Sequence, residues 1–427
     1  MSDIFSHFSH FGLHDDLLKS IAEQGYAVPT PIQVHAIPAA LAGRDVMGAA
    51  QTGTGKTAGF SLPILQRLLP LANASVSPAR HPVRALILTP TRELADQVAA
   101  NIRAYAQYTL LRSLAVFGGV DMKAQAGELR RGVEILVATP GRLLDHLEQK
   151  NLQLGQTGIL VLDEADRMLD MGFLPDLQKI LAALPRERQT LLFSATFSDE
   201  IRNLAAYYLN DPVSIEIETR NATAVNVRQL VYEIDENDKA DAAARLIRLR
   251  GLKQVIIFCN SKSGASRLTR QLARRGVNAA AIHGDKTQRE RMQTLDAFKQ
   301  GAIEALVATD VAARGLDIAE LPAVINFDLP FNAEDYVHRI GRTGRAGAQG
   351  DALSLCSPSQ YKQLAGIETL IQRRLERAAL ASGGAHFSQP CSPFLKAPEY
   401  KPNTQLAPCP PAKRPRAALL GGLIRKT

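Results

Sequence analysis

Ile159-Leu160-Val161-Leu162-Asp163-Glu164-Ala165-Asp166 is four apolar residues followed by three carboxylates within four positions. The apolar run reads as a strand buried on both faces, which belongs in a parallel sheet rather than in an antiparallel one with a wet side. The acids then fall at the strand's C-terminal end, where open parallel α/β sheets hold their ligands. Carboxylates left unpaired at such an exit cost free energy. A metal-bound phosphate offsets that cost, with Asp163 toward Mg2+ and Glu164 toward a water. A strand that simply runs out into a solvated acidic turn explains the same residues about as well, so the choice depends on the rest of the chain.

Upstream, Asp45-Val46-Met47-Gly48-Ala49 reads as a short strand entering Ala50-Gln51-Thr52-Gly53-Thr54-Gly55-Lys56-Thr57. This fits a P-loop except that Ala50 replaces the first glycine. Glycines let successive N–H groups (Gln51 to Gly55) turn inward around phosphate oxygens, and the next helix offers its positive N-terminus. Lys56 would reach the β/γ-phosphates and the Thr57 hydroxyl would ligate Mg2+. A Gly/Thr-rich surface loop competes poorly, because a strand precedes the segment and a helix follows it. Pro63 predicts a kink in that helix. Earlier still, Phe8 to Gly25 predicts a helix, and Pro29-Thr30-Pro31-Ile32-Gln33 fixes a bend presenting a glutamine amide. Such an amide can pair with an adenine edge, although taken alone the segment is a turn before a helix.

Around these anchors a rhythm sets in. Strand-like runs at 85–89, 113–117, 134–138, 159–162 and 190–193 alternate with helical patterns, which predicts βαβ units and a parallel sheet. Their exits carry Pro90-Thr91-Arg92-Glu93, Gly118-Gly119, Thr139-Pro140-Gly141-Arg142, the acidic stretch, and Ser194-Ala195-Thr196. One such loop is commonplace, but five at strand exits point to one functional edge. The pattern breaks near Pro212 and resumes with runs at 229–234, 255–259, 278–282, 304–308, 323–327 and 351–356, with no second P-loop. The predicted domains are 1–212, a connection 213–225, a second α/β domain 226–381 whose end (363–381) reads as helix, and a tail 382–427.

The second half carries His338-Arg339-Ile340-Gly341-Arg342-Thr343-Gly344-Arg345. One reading is a solvated basic turn. The other is that Arg342 and Arg345 close on a phosphate held by the first domain, since guanidinium is permanently charged and forks onto phosphate oxygens. The tail is rich in Pro, Gly and Ala, which predicts disorder. Its excess of Lys/Arg contributes +6 of the chain's formal +8. A weak electrostatic contact with RNA or protein is therefore expected of it.

Composition bounds the rest. A chain of 427 residues, 46% hydrophobic and 22% charged, suits two or three globular domains. Four scattered cysteines without a Cys-x-x-Cys pair argue against zinc or a disulfide framework. No signal-like start or ~20-residue apolar run is present, so a cytoplasmic monomer without a membrane partner is expected.

Taken together, these motifs, in this order from Phe8 to about Cys356, resemble the DEAD-box ATP-dependent RNA helicases of superfamily 2. The spelling of Phe8…Gly25-Tyr26 and of 339–347 is most similar to the bacterial RhlE-like subgroup. The resemblance implies two tandem RecA-like domains. It implies that Gln33 selects adenine with Phe8 and Tyr26 in support, and that Asp317 meets the ribose. Lys56, Thr57 and Asp163 would hold Mg-ATP, Glu164 would activate water, and Arg342 and Arg345 would complete the site. Ser194 and Thr196 would couple hydrolysis to strand separation through Asp166. RNA would lie on Arg92, Gly119, Thr139 and Arg142 of one domain and on Ser261, Gln288, Arg291 and Thr309 of the other. Ala50 is shared with that family. Three rivals remain: a DNA helicase of the same superfamily, an RNA-binding scaffold with slow turnover, and a P-loop NTPase acting on proteins. The last explains neither Gln33 nor the second-half arginines.

Overall fold

The computed structural model describes residues 7–50, 53–195, 197–217, 227–313, 316, 318, 321–344 and 349–380. Gln51, Thr52, Thr196, Asp317, Arg345, most of the connection (218–226) and the 382–427 tail lie outside the described residues.

The first lobe contains β1 (Val46–Ala49), β2 (Ala85–Leu88), β3 (Ser113–Val116), β4 (Ile135–Ala138), β5 (Ile159–Leu162), β6 (Gln189–Ser194) and β7 (Val213–Glu216). The second contains β8 (Val227–Glu233), β9 (Val255–Cys259), β10 (Ala279–Ile282), β11 (Ala305–Thr309), β12 (Ala323–Asn326), β13 (Gly350–Cys356) and β14 (Glu376–Ala378). The strand orders are β3-β4-β2-β5-β6-β1-β7 and β10-β11-β9-β12-β13-β8-β14, and every pairing is parallel. The fold class is therefore the expected one, two parallel α/β sheets in tandem.

The deciding strand shows why a continuous apolar run was needed. Ile159 and Val161 enter the core on one face of the sheet, Leu160 and Leu162 the core on the other. With a side-chain period of two, both faces must be apolar where helices cover both. β9 repeats the pattern, dividing Val255 and Ile257 from Ile256 and Phe258.

Three local expectations change. Phe8–Phe11 forms a short 3-10 turn closed by Gly12, and the helix proper is Asp15–Glu23. Val213–Glu216, expected within the connection, is instead β7, which extends the first sheet along β1. Likewise the helix expected to Ala381 ends at Leu370, and the chain turns back as β14 beside β8. Neither edge strand is long or apolar enough to announce itself, since each gains its strand character from the ladder of its neighbour. No helix among the described residues is long and apolar enough to cross a membrane.

Candidate functional site

Because all strands are parallel, their exits share one edge of each sheet, and strand order decides which exits are neighbours. In the first lobe β1, β6 and β5 are adjacent, so the loop after β1 and the acids after β5 stand about 10 Å apart across β6. The exits of β2, β4 and β3, carrying Arg92, Thr139–Arg142 and Gly119, occupy the other half of that edge.

The first half-edge is a buried charge cluster. Lys56, Asp163, Glu164 and Arg167 are 6%, 2%, 4% and 2% exposed. Lys56 Nζ donates to the Ala50 carbonyl at 2.8 Å, and the Ala50 N–H donates to the Ser194 carbonyl at 3.0 Å. Burial pushes the Asp163 carboxyl up to about 7, opposed by the charge of Lys56 and reinforced by Glu164. Its Oδ1 is buried without a hydrogen-bond partner. An orphaned buried oxygen beside an ammonium is what a divalent cation would satisfy, and Mg2+ characteristically takes one or two carboxylates plus phosphates. The residues fit that ion. Glu164 sits in the left-handed region (φ 53°, ψ 51°), costly for a side chain with a Cβ. Its carboxylate lies 3.2 Å from an Arg167 guanidinium nitrogen without hydrogen-bond alignment.

Gln33 is fully buried and braces the loop. Its Oε1 accepts from the Thr30 N–H at 2.8 Å, and its Nε2 donates to the Gly55 carbonyl at 3.0 Å. One lone pair and one hydrogen of the amide remain for a ligand. Gly55 has φ +87°, and a Cβ there would collide with Gln33 Nε2, so glycine is required twice over. Phe8 is buried, its ring edge-on to Tyr26 at 6.0 Å, and Tyr26 shares a 2.8 Å hydrogen bond with Tyr105. Asp166 meets the backbone between Ser194 and Thr196, the latter lying outside the described residues. The Ala195 N–H donates to Asp166 Oδ2 at 3.0 Å, while Ser194 Oγ is buried without a partner.

The second half-edge gathers cations. Arg92 packs against Gly118 and Gly119, where a Cβ on Gly119 (φ +81°) would strike its guanidinium. Burial lowers the Arg92 pKa; Glu93 opposes this, and Arg291 and Arg142 add to it. Arg142 donates to the Val120 carbonyl at 3.0 Å and to Gln125 at 2.7 Å. Thr139 precedes the helix Pro140–Glu148 as its N-cap residue. From the second lobe Arg291 reaches Glu93 at 2.8 Å, and Gln288 Nε2 donates to the same carboxylate at 3.1 Å. Glu93 thus ties the lobes together. Sequence reasoning gave it no role; as the one acid in a run of RNA-facing candidates, it was the available signal.

The sequence reading also assigns Arg339 no separate role. Tyr336, Arg339 and Ile340 form the buried face of the helix Ala333–Ile340, and an arginine at that spacing needs a buried partner. It forks onto Asp310 (2.6 Å and 2.6 Å) and donates to Asn260 Oδ1 at 3.0 Å. It also donates to the Asp328 carbonyl at 2.5 Å, so this one side chain joins the exits of β9, β11 and β12. Ser261 caps the helix Lys262–Arg274 through the Gly264 N–H at 3.0 Å, and Thr309 ends β11 directly before Asp310. Three residues after Arg339, Arg342 is buried and donates to the Leu316 carbonyl at 2.9 Å.

The DEAD/DEAH box helicase family matches residues 30–204, and the helicase conserved C-terminal domain matches 238–347. The DEAD-box ATP-dependent RNA helicase RhpA of Helicobacter pylori (strain ATCC 700392 / 26695) is 43% identical over 86% of this chain and 73% of its own. CshA of Bacillus cereus (strain ATCC 10987 / NRS 248), also a DEAD-box ATP-dependent RNA helicase, is 44% identical over 87% and 69%. Among solved structures, S. cerevisiae Dbp5 bound to RNA and ADP BeF3 superposes with a TM-score of 0.78 at 32% identity, covering 88% of this chain and 96% of that one. A DEAD box protein from Methanococcus jannaschii gives 0.51 at 39% identity, covering 88% and 99%.

Proposed function

The chain belongs to the DEAD-box ATP-dependent RNA helicases, and on that premise we propose that it works as a two-state clamp. It is an RNA-stimulated ATPase; RNA and ATP each favour the closed arrangement of the two lobes and hence each other. Closure bends the bound strand and expels its complement over a short span, so unwinding is local rather than processive. Hydrolysis and phosphate release reopen the cleft.

The observation that carries this reading is a buried Asp163 with an oxygen that lacks a partner, within reach of the charge of the buried Lys56, on the edge that also gathers Arg92, Arg142 and Arg291. Lys56, Thr57 and Asp163 would hold Mg-ATP, the metal supplying charge neutralisation at the phosphates when bound. Glu164, fixed by the turn into its helix, would orient the attacking water and take its proton. Gln33, with one donor and one acceptor still free, would select adenine while sensing the P-loop through Gly55, with Phe8 and Tyr26 supporting that pocket and Gln51 and Thr52 completing the loop. Asp317 would meet the ribose. Arg342 and Arg345 would complete the site from the second lobe. Asp166, Ser194 and Thr196 would couple hydrolysis to strand separation. Arg92, Gly119, Thr139 and Arg142, with Ser261, Gln288, Arg291 and Thr309, would carry the RNA. The protein acts as a cytoplasmic monomer, its basic tail a weak tether.

The test is ATP hydrolysis by the full chain alone, with single-stranded RNA and with single-stranded DNA, followed by unwinding of short and long duplexes. Strong stimulation by RNA, with unwinding confined to short duplexes, is expected. Equal stimulation by DNA would favour a DNA helicase, and no stimulation by either would overturn the reading.

A further inference from the structure

The helix Lys262–Arg274 carries four cations and no acid. Its counterpart in the first lobe is Arg92–Tyr105, because β9 and β2 hold the same place in the two strand orders and each helix follows directly. That counterpart is balanced, with Arg92 and Arg103 against Glu93 and Asp96. The fold therefore does not demand a wholly basic helix here.

Ala265, Leu268 and Leu272 face the core. Arg267, Arg270 and Arg274 are exposed at spacings of three and four, forming one stripe on the opposite side. Among the described residues none of the three forms an ion pair within 4 Å, although Glu236 lies near enough to Arg267 to feel its charge. Lys262, at the helix start, pairs with Asp285 at 2.7 Å, and the acid beyond the far end, Asp241, is engaged by Arg275. Like charges so spaced on a helix repel, and only Arg274 lies close enough to the C-terminus to be favoured by the helix dipole. An external anion removes that repulsion. The stripe begins nearly two turns beyond Ser261, which stands on the edge already read as RNA-facing, and ends about 20 Å from it.

We propose that this helix is a second track for RNA, taking backbone phosphates of a strand that extends beyond the clamp. The inference rests on the RNA reading given above. Phosphate contacts of this kind carry no sequence information; they add affinity and salt dependence. Long single strands should therefore bind more tightly than strands that only fill the clamp.

The test compares the full chain with its Arg267→Gln/Arg270→Gln/Arg274→Gln variant, with Mg2+ and a non-hydrolysable ATP analogue. The probes are fluorescent single-stranded RNAs of about 10 and about 30 nucleotides, titrated across salt. For the long probe the variant should lose about tenfold in affinity at low salt, and its log–log salt slope should become shallower by about 2. Short-probe affinity and RNA-saturated ATP turnover should stay unchanged. An unchanged slope on the long probe would overturn the proposal, leaving the stripe to solvent or an acidic protein. Equal loss on both probes would also overturn it, placing these arginines in the clamp. As a measurement independent of the variant's folding, 4-thiouridine placed outside the clamp in the long probe should crosslink within 262–274 of the unaltered chain; adducts elsewhere only would count against the track. If the unaltered chain shows no RNA-stimulated hydrolysis, the underlying functional reading fails instead.

Discussion

At the residue scale the candidate site turns on two adjacent carboxylates in different surroundings. Asp163 is desolvated with an unpartnered oxygen, whereas Glu164 is held in a left-handed backbone conformation beside Arg167. If Glu164 activates water, Glu164→Gln should keep ATP and RNA bound together while turnover falls about 10²-fold or more, as read by single-turnover hydrolysis and nucleotide retention. Normal turnover would remove that role. Asp163 makes a separate prediction. An acid whose pKa rises on folding, here from 3.8 to about 7, stabilises the fold fully only below its unfolded pKa and loses that contribution as pH climbs through 7. Without metal or nucleotide, the protein should therefore weaken between pH 4 and 7. Asp163→Asn should flatten that slope and be the more stable form at pH 8, by up to a few kcal/mol. Parallel melting-temperature profiles for the two proteins would contradict it.

At the scale of elements, two helix starts meet through one carboxylate, and one buried arginine joins three loops. Glu93 opens the helix Arg92–Tyr105, while Gln288 and Arg291 open Gln288–Lys299. Removing its charge should weaken closure, so Glu93→Gln should raise the RNA concentration for half-maximal ATPase stimulation by about fivefold or more, within the usual range of coupling energies. Unfolding temperature should barely move. A variant stimulated like the parent would mean the contact contributes nothing to closure. Arg339 is different in kind, since it is wholly buried and its loss leaves Asp310 and Asn260 without their partner. Arg339→Met should cost about 3–5 kcal/mol, seen as an earlier unfolding transition in the full chain. Hydrolysis should suffer as well, because Arg342 follows on the same turn.

At the scale of the molecule, the candidate site is divided. The P-loop and acids belong to the first lobe, whereas Arg342 stands in the second with no P-loop of its own. A fragment ending after β7 should therefore hydrolyse ATP far more slowly than the full chain and ignore RNA. A fragment matching the full chain's RNA-stimulated rate would show that the second lobe adds nothing to catalysis. The fragment must extend to Glu216, because ending it at 212 would strip the strand that covers β1.

The sequence by itself determined what is local and contiguous. The Ile159–Leu162 run reads as a strand covered on both faces, the 50–57 segment fits a phosphate loop better than a surface loop, and the alternation of short strands with helices implies parallel sheets. Side-chain period and glycine placement act over a few residues, so they are written in order along the chain. The tertiary structure decided the pairings that span long stretches: Gln288 with Glu93, 195 residues apart, Arg339 with Asp310, Asp166 with the Ala195 N–H, and β7 and β14 as edge strands. A buried charge must find its partner, and a short strand its ladder, wherever the folded chain brings one within about 3 Å. That distance is a property of the packing, and no reading of neighbours in sequence contains it.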